Sequence, residues 1–435
     1  MKKFLFLFPI LLLFSTCKES TYKNVLIHQA GKTGLGPCEP SIFINPKNPN
    51  NIVAGAVLNT YHYSFDAGAS WEKGTLESSH GVYGDPCITA DLDGNFYYFH
   101  LADPDGTNWQ SPRILESIIV QKSTDGGKTW NDGAAIGATP PKQQDKEWSC
   151  VNPLDNSIYT TWTQFDKYGS KEPDCQSLIL FSKSMDGGAT WTRPTTLSQF
   201  PGNCIDDDNT VEGAVPAAGP NNEVYVAWGF DNKIYFDRSM DSGETWLEKD
   251  IVVAAQPGGW DMTIPGVGRA NGMPVTRVDL SDSPHRGTIY INWADASNGP
   301  DNTDIFVSYS KDNGNSWSTP VKVNNDLTKK HQFFPWMDVD PVTGAIYVVY
   351  YDRSAYEDFN TDVVLASSTD GGRTFKNEVI SESPFITPGE FVFFGDYNNI
   401  SAYGGKVRPI WTRYEDKKLS IWTALIDKKV RKVSP

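Results

Sequence analysis

The stretch Ser184-Met185-Asp186-Gly187-Gly188-Ala189-Thr190-Trp191 decides the fold, because its pattern, Ser-x-Asp-x-Gly-x-x-Trp/Phe, returns five more times along the chain. The other copies run Ser64 to Trp71, Ser123 to Trp130, Ser239 to Trp246, Ser310 to Trp317 and Ser368 to Phe375, with starts 55 to 71 residues apart. Chance would place on the order of 10⁻² such matches in a chain of this length, so the six are an internal repeat. Each copy is a turn by its chemistry: the carboxylate accepts backbone N–H groups, the glycine takes positive φ, and the aromatic ring is buried. The six aspartates, Asp66, Asp125, Asp186, Asp241, Asp312 and Asp370, are therefore scaffold.

Upstream of each turn lies a second repeated element: Pro40-Ser41-Ile42, Asp85-Pro86-Cys87-Ile88, Trp148-Ser149-Cys150-Val151, Val211-Glu212-Gly213-Ala214-Val215, Met273-Pro274-Val275 and Phe334-Pro335-Trp336-Met337. A seventh copy starts at Gly395-Asp396-Tyr397 and offers only three strands before the chain ends. Spacing and pattern predict an all-β propeller of four-stranded blades, seven in number, with Val25-Leu26-Ile27 supplying the missing strand and closing the ring. Residues 1–17 are a signal segment, 18–23 a short tether, and 24–430 a single propeller domain.

If the repeated turns join third strands to fourth, they share a face with short turns such as Asp93-Gly94-Asn95 and Thr343-Gly344-Ala345. The opposite face receives the long loops, including residues 101–110, 163–176, 199–212, 256–274 and 351–362, and that is where function is expected. Residues at the starts of the innermost strands ring the axis there: Glu39, Asp85, Glu147 or Trp148, Glu212 and Asp396, with Tyr397 adjacent and Arg269 and His331 in the approaching loops. Several acids on one axis cannot all ionise without cations or shared protons. Carboxyls with separated pKa values are what glycoside hydrolysis uses, and capping of strand-start N–H groups is the plainer alternative.

The repeated turns resemble the Asp-box, or BNR, repeats of sialidases and related propellers. That resemblance implies a six-bladed ring, an Arg-Ile-Pro motif whose arginine joins two others around the substrate carboxylate, a Tyr–Glu nucleophile pair and an Asp acid/base. Here Glu39 and Asp85 stand in the arginine position, ahead of Pro40 and Pro86, and a carboxylate there reverses the electrostatics of such a clamp. Arg269, Arg353 and Arg413 are candidate cations from other blades, Tyr397 with Glu212 a candidate nucleophile pair, and Trp260 and Trp109 candidate stacking surfaces for sugar. The expectation is an exo-glycoside hydrolase with a non-sialidase pocket. A non-catalytic glycan- or protein-binding propeller is the alternative, and a polysaccharide lyase using Tyr397 or His331 as base is the third reading.

Of 435 residues, 53 are acidic and 38 basic, a formal charge of −15 that argues against nucleic acid as a partner. Lys2 and Lys3 followed by the apolar run Phe4 to Phe14 and by Ser15-Thr16-Cys17 resemble a bacterial lipoprotein signal, with Cys17 the lipid-bearing residue. The expected protein is a secreted monomer on the outer membrane or cell surface, touching the membrane through that anchor only and meeting an extracellular glycan. Cys175 and Cys204, both in polar loops, are the expected disulfide, while Cys38, Cys87 and Cys150 pack as small apolar side chains. No cofactor is required and no cysteine spacing suggests zinc; Asp206-Asp207-Asp208 offers oxygens suited to Ca²⁺, and a solvated loop is the plainer reading of that run.

Overall fold

A computed structural model of the chain describes residues 22–31 and 35–429. The proposed signal segment and Cys17 lie outside the described residues. Seven antiparallel sheets of four principal strands stand around one axis, and among the described residues the only helical segment is the short 3₁₀ turn Asn108–Gln110. Blade 1 is built from Ser41–Ile44, Ile52–Ala56, Thr60–Ser64 and Glu72–Thr75; blades 2 to 6 repeat that plan. Their first strands are Cys87–Ala90, Gln143–Val151, Glu212–Ala218, Val275–Val278 and Gln332–Val339. Blade 7 takes Asn399–Tyr403, Lys406–Glu415 and Lys418–Ala424 from the end of the chain, and Asn24–Gln29 pairs with the last of these from Asn24↔Ala424 to Gln29↔Ser420. The ring is thus seven-bladed and closed by the N-terminal strand, as the seventh, boxless repeat predicts; the six blades of the resemblance are not adopted.

First strands of neighbouring blades touch around a full circle, which makes them the inner ring. Side chains stitch them together: Ser41 Oγ accepts the Ile88 N–H at 2.9 Å, and Ser401 Oγ accepts the Ile44 N–H at 3.0 Å. Second strands such as Phe96–Leu101 and Ile158–Phe165 are buried along their whole length, because both faces of a blade are covered by its neighbours. Trp162, Trp228, Trp293 and Trp411 on second strands fill the space between blades. Each such buried side chain contributes about 1.5–3 kcal/mol by leaving water.

All six repeated turns join a third strand to a fourth and share one hydrogen-bond pattern. In blade 3, Asp186 Oδ1 accepts the Ser184 hydroxyl at 2.8 Å and the Thr190 N–H at 2.9 Å, Oδ2 accepts the Thr190 hydroxyl at 2.6 Å, and Ser184 Oγ accepts the Gly188 N–H at 2.9 Å. The glycine sits at φ +82° there and at +83° in Gly243, where an added Cβ would lie 2.5 Å from the Phe181 ring. It is required both for the turn and for the close approach of the preceding blade. The aromatic rings that end the motif differ from expectation in being half-buried: Trp246 and Trp317 lie edge-on to Phe181 and Phe236 of the preceding blade, at 4.9 and 5.0 Å between centroids, with an edge left to solvent. The short turns between first and second strands lie on this same side, since Asn51 Nδ2 donates to Gly126 O in the next blade's repeated turn at 3.0 Å. We call this side the turn face and the opposite one the loop face.

Candidate functional site

At the loop face six of the seven inner strands carry a left-handed residue at or near their start: Glu39 at φ 48°, Asp85 at 50°, Lys146 at 53°, Phe334 at 49°, Gly213 at 74° and Gly395 at 90°. Strand pairing breaks at the same level, between Asp145 and Trp148, Glu212 and Val215, and Phe333 and Trp336. Such bulges turn a strand start and re-aim its side chains, and a non-glycine residue there costs about 1–2 kcal/mol. Backbone equivalence therefore groups Glu39 and Asp85 with Lys146, rather than with Glu147 or Trp148 as sequence spacing suggests.

Lys146 is the buried hub. Its ammonium lies 3.4 Å from Asp85 Oδ2 and 3.7 Å from Glu39 Oε1, and it contacts Asp396 Oδ2 directly. Asp396 also binds Arg269, whose Nε donates to Oδ1 at 2.7 Å while Nη2 reaches Oδ2; Arg269 Nη1 donates to Asp206 Oδ2 at 2.9 Å. Asp206 in turn accepts the Tyr168 hydroxyl at 2.6 Å and Trp260 Nε1 at 2.8 Å. The Asp396 N–H donates to Glu39 Oε1 at 3.1 Å. One chain of contacts thus runs from blades 1, 2 and 3 through blade 7 to the loops carrying Arg269 and Asp206.

Charge is distributed unevenly in this chain. Burial opposes ionisation of Asp396, yet Arg269 and Lys146 outweigh it and hold that carboxyl far below the usual range. Burial and then the Asp85 charge push Asp145 up to about 8 and Glu39 well above its ordinary value, against the opposing pull of Lys146. Glu147 and Glu212 are pushed well up by burial, with Asp85 and Asp206 adding respectively. Their carboxyl oxygens are buried with no hydrogen-bond partner, consistent with protonated acids in the interior.

Above the hub opens a cavity of about 240 Å³. Asp85, Asp145, Lys146, Arg269 and Tyr168 supply its polar wall, and Trp109, Tyr83, Leu35 and Phe393 its apolar one. Trp109 is half exposed and rests its ring 5.4 Å from Tyr168 and 6.1 Å from Tyr83. The expected disulfide is present: Cys175 and Cys204, Cα atoms 5.8 Å apart, fasten the loop bearing Tyr168 to the loop bearing Asp206, beside a Gly169 N–H to Cys204 O bond of 2.7 Å. Cys38 and Cys87 are buried free thiols and Cys150 is half-buried.

Among the residues singled out from sequence, Glu39, Asp85, Asp396 and Arg269 meet here, with Trp260 behind Asp206. Glu212 lies beneath, outside the cavity wall. Tyr397 is turned into the axis, 4.9 Å from Trp148 and 5.8 Å from Trp336, so it is not paired with Glu212 at a cavity surface. The other three candidates are occupied elsewhere: Arg353 donates to Pro265 O at 2.6 Å and Thr387 Oγ1 at 2.8 Å, Arg413 to Ser383 Oγ at 2.8 Å, and His331, whose pKa burial lowers, has Nδ1 3.1 Å from Thr303 Oγ1. A three-arginine clamp is therefore not assembled. The sequence did not single out Asp145, Lys146 or Tyr168, and offered Asp206 only within a run suited to Ca²⁺. The first two flank a bulge that spacing cannot show, and Asp206 was hidden in an acidic run whose members diverge, Asp207 accepting Asn203 Nδ2 and Asp208 the Asp261 N–H. Among the described residues no group of three or more His, Cys, Asp or Glu side chains is arranged to hold a metal ion.

Fold and site together define a seven-bladed propeller with an acid-rich, cation-bridged cavity at its axis. No family model matches the sequence. Solved structures of similar shape include the NanB sialidase of Streptococcus pneumoniae, with a TM-score of 0.52 and 11% identity over 86% of this chain and 83% of that one. A polysaccharide lyase, the PL25 ulvan lyase, gives 0.52 and 13% over 92% and 96%. A protein of unknown function from Dyadobacter fermentans gives 0.50 and 14% over 93% and 98%. At such identities these are likenesses of fold.

Proposed function

We propose that the protein acts on an extracellular glycan as an exo-glycoside hydrolase, removing a terminal sugar that carries no acid group. The observation that carries this reading is the pairing of Asp145 and Asp85 on the wall of one small aromatic-edged cavity, Asp145 biased towards its protonated form and Asp85 facing Lys146 at 3.4 Å. Asp145 then serves as proton donor to the glycosidic oxygen and Asp85 as the second, ionised carboxylate. Trp109 offers a stacking face, and the cavity's size, below the roughly 300–1,000 Å³ of drug-sized sites, suits a single ring.

Selection against acidic sugars follows from charge. Lys146 and Arg269, the two cations of the cavity, are already neutralised by Asp396, Asp206 and Asp85, so none is left for a sialate or uronate carboxylate. A lyase reading lacks a base: burial, with Asp206 adding, raises the Tyr168 hydroxyl, while Tyr397 and His331 do not line the cavity. A non-catalytic sugar-binding propeller is the second reading, favoured by the exposed Trp109 face. The protein is further proposed to be a secreted lipoprotein held by Cys17.

The test is turnover of a panel of aryl glycosides that includes neutral sugars, a sialoside and uronides. Hydrolysis of a neutral glycoside, lost in both Asp145→Asn and Asp85→Asn, supports the hydrolase. Turnover of acidic sugars instead would refute the charge reasoning, and absence of any turnover beside Trp109-dependent glycan retention would establish the binding reading.

A further inference from the structure

The side of the loop-face cavity away from the axis differs in kind from the charged side. First strands form the inner ring, so Glu39, Asp85 and Lys146 at their starts supply the axial wall. The outer wall is built where the second strands of blades 1 and 2, Ile52–Ala56 and Phe96–Leu101, run out at the loop face, and its side chains are Val57, Leu58, Leu101 and Leu115. Val57, Leu101 and Leu115 are buried and Leu58 is half-buried, and none of the four carries a donor or acceptor.

The main chain of that outer wall is already engaged as well. Leu58 O accepts the Gly84 N–H at 3.0 Å, the Leu101 N–H donates to Gly84 O at 3.3 Å, and Leu101 O accepts the Tyr83 N–H at 2.9 Å. The Leu115 N–H donates to Ala102 O at 3.0 Å, and Leu115 O accepts the Gln144 N–H at 2.7 Å. A sugar hydroxyl turned to this side gives up water without gaining a partner, whereas a methyl group gains apolar contact. A single pyranose satisfies both walls when one edge of its ring carries hydroxyls and the other a bare carbon.

We propose that the sugar held in this cavity is a 6-deoxyhexose, its C5 methyl against Val57, Leu58, Leu101 and Leu115 and its ring hydroxyls towards Asp85, Asp145 and Arg269. A pentose leaves the aliphatic wall unfilled, and the amide of an N-acetylhexosamine finds no partner on it. The proposal deepens the single-sugar reading of the cavity and rests on it, but it does not rest on hydrolysis. An apolar wall rejects one added hydroxyl by roughly ten- to a hundredfold, which sets the size of the expected effect.

Sugars that differ only at C6 test it with the mature protein: L-fucose against L-galactose, L-rhamnose against L-mannose, and 6-deoxy-D-glucose against D-glucose. Both anomers of each are used, as nitrophenyl glycosides for turnover and as methyl glycosides for binding by calorimetry. In the pair the protein takes best, kcat/KM or affinity should favour the 6-deoxy sugar by roughly ten- to a hundredfold. Leu58→Gln, at a half-buried position, gives the C6 hydroxyl an amide partner and should lower that preference several-fold, while Leu58→Met should keep it. Equal or better use of the hydroxymethyl sugar, tighter binding of a pentose or an N-acetylhexosamine, or a preference untouched by Leu58→Gln overturns the proposal and leaves the single-sugar reading standing. If the folded protein neither binds nor turns over any sugar, that reading fails and the proposal fails with it.

Discussion

Asp186 on the turn face and Asp145 on the loop face are both aspartates at the end of a strand, yet they sit in opposite situations. Asp186 is largely exposed and accepts hydrogen bonds from groups within four residues of itself, so its turn is complete without help from the rest of the molecule. Asp145 is buried beside its neighbour Lys146 and among Asp85, Asp206 and Arg269, which come from three other parts of the chain. Local satisfaction lets the first motif be copied six times with little change. Dependence on distant partners makes the second site unique to one set of blades, strained in its backbone and sensitive to every neighbour.

The contrast breaks most visibly at Lys146. Lys146→Met leaves Asp396, Asp85 and Glu39 with their buried cation gone, and a loss of about 3–5 kcal/mol in urea unfolding is expected, with partial recovery when Asp396→Asn is added. Next comes the disulfide. Replacing Cys175 and Cys204 by Ala removes a cross-link over 29 residues, worth about 3.6 kcal/mol by chain entropy, and should weaken ligand binding because Tyr168 and Asp206 lose their common tether. Asp186→Ala should cost about 1 kcal/mol in the same unfolding assay and leave turnover or glycan binding unchanged; a loss of function from this turn would erase the proposed division between faces.

The two faces should also respond differently to pH. Hydrogen bonds from Thr190, Thr245, Ser316 and Thr374 hold Asp186, Asp241, Asp312 and Asp370 at about 2, although burial opposes this at Asp370. Their folded values lie below the unfolded one, so their contribution is complete above about pH 4 and lost as pH falls through 2. Asp145 has the reverse sign: its folded value of about 8 exceeds the unfolded one, so stability declines as pH rises from about 4 to 8. Hydrolysis, if Asp145 is the donor, should fall along an alkaline limb near pH 8, and a pH–rate profile without that limb would remove Asp145 from the role.

Legibility in the sequence followed the same division. The blades could be counted from Ser-x-Asp-x-Gly-x-x-Trp/Phe because that signal is local, and the unpaired seventh repeat pointed to Val25-Leu26-Ile27 as its partner. Glu39, Asp85, Asp396 and Arg269 were visible as charges near strand starts. Lys146 was not, since a one-residue bulge moves it into the place that spacing assigns to Glu147 or Trp148. Tyr397 was misplaced for a related reason: it follows Asp396 directly, ahead of the strand Asn399–Tyr403, yet its ring packs on Trp148 and Trp336 while Asp396 meets Lys146 and Arg269. Asp206 could not be told from Asp207 and Asp208 without knowing that Tyr168, Trp260 and Arg269 converge on it. Arg353 and Arg413 belong to second strands and the loop after one, away from the inner ring.

The pairing of Asn24–Gln29 with Lys418–Ala424 also sets an order of events during synthesis. The first strand to emerge has no partner until nearly the whole chain has followed it, so blade 7 is the last blade to be completed and the ring stays open until then. Contacts so distant along the chain slow folding, and until they form, the waiting strand and blade 1 beside the gap present bare edges to other chains. A nascent or truncated chain lacking the last twenty residues would hold six complete sheets and still be an unclosed arc, prone to finding its missing strand in a neighbour.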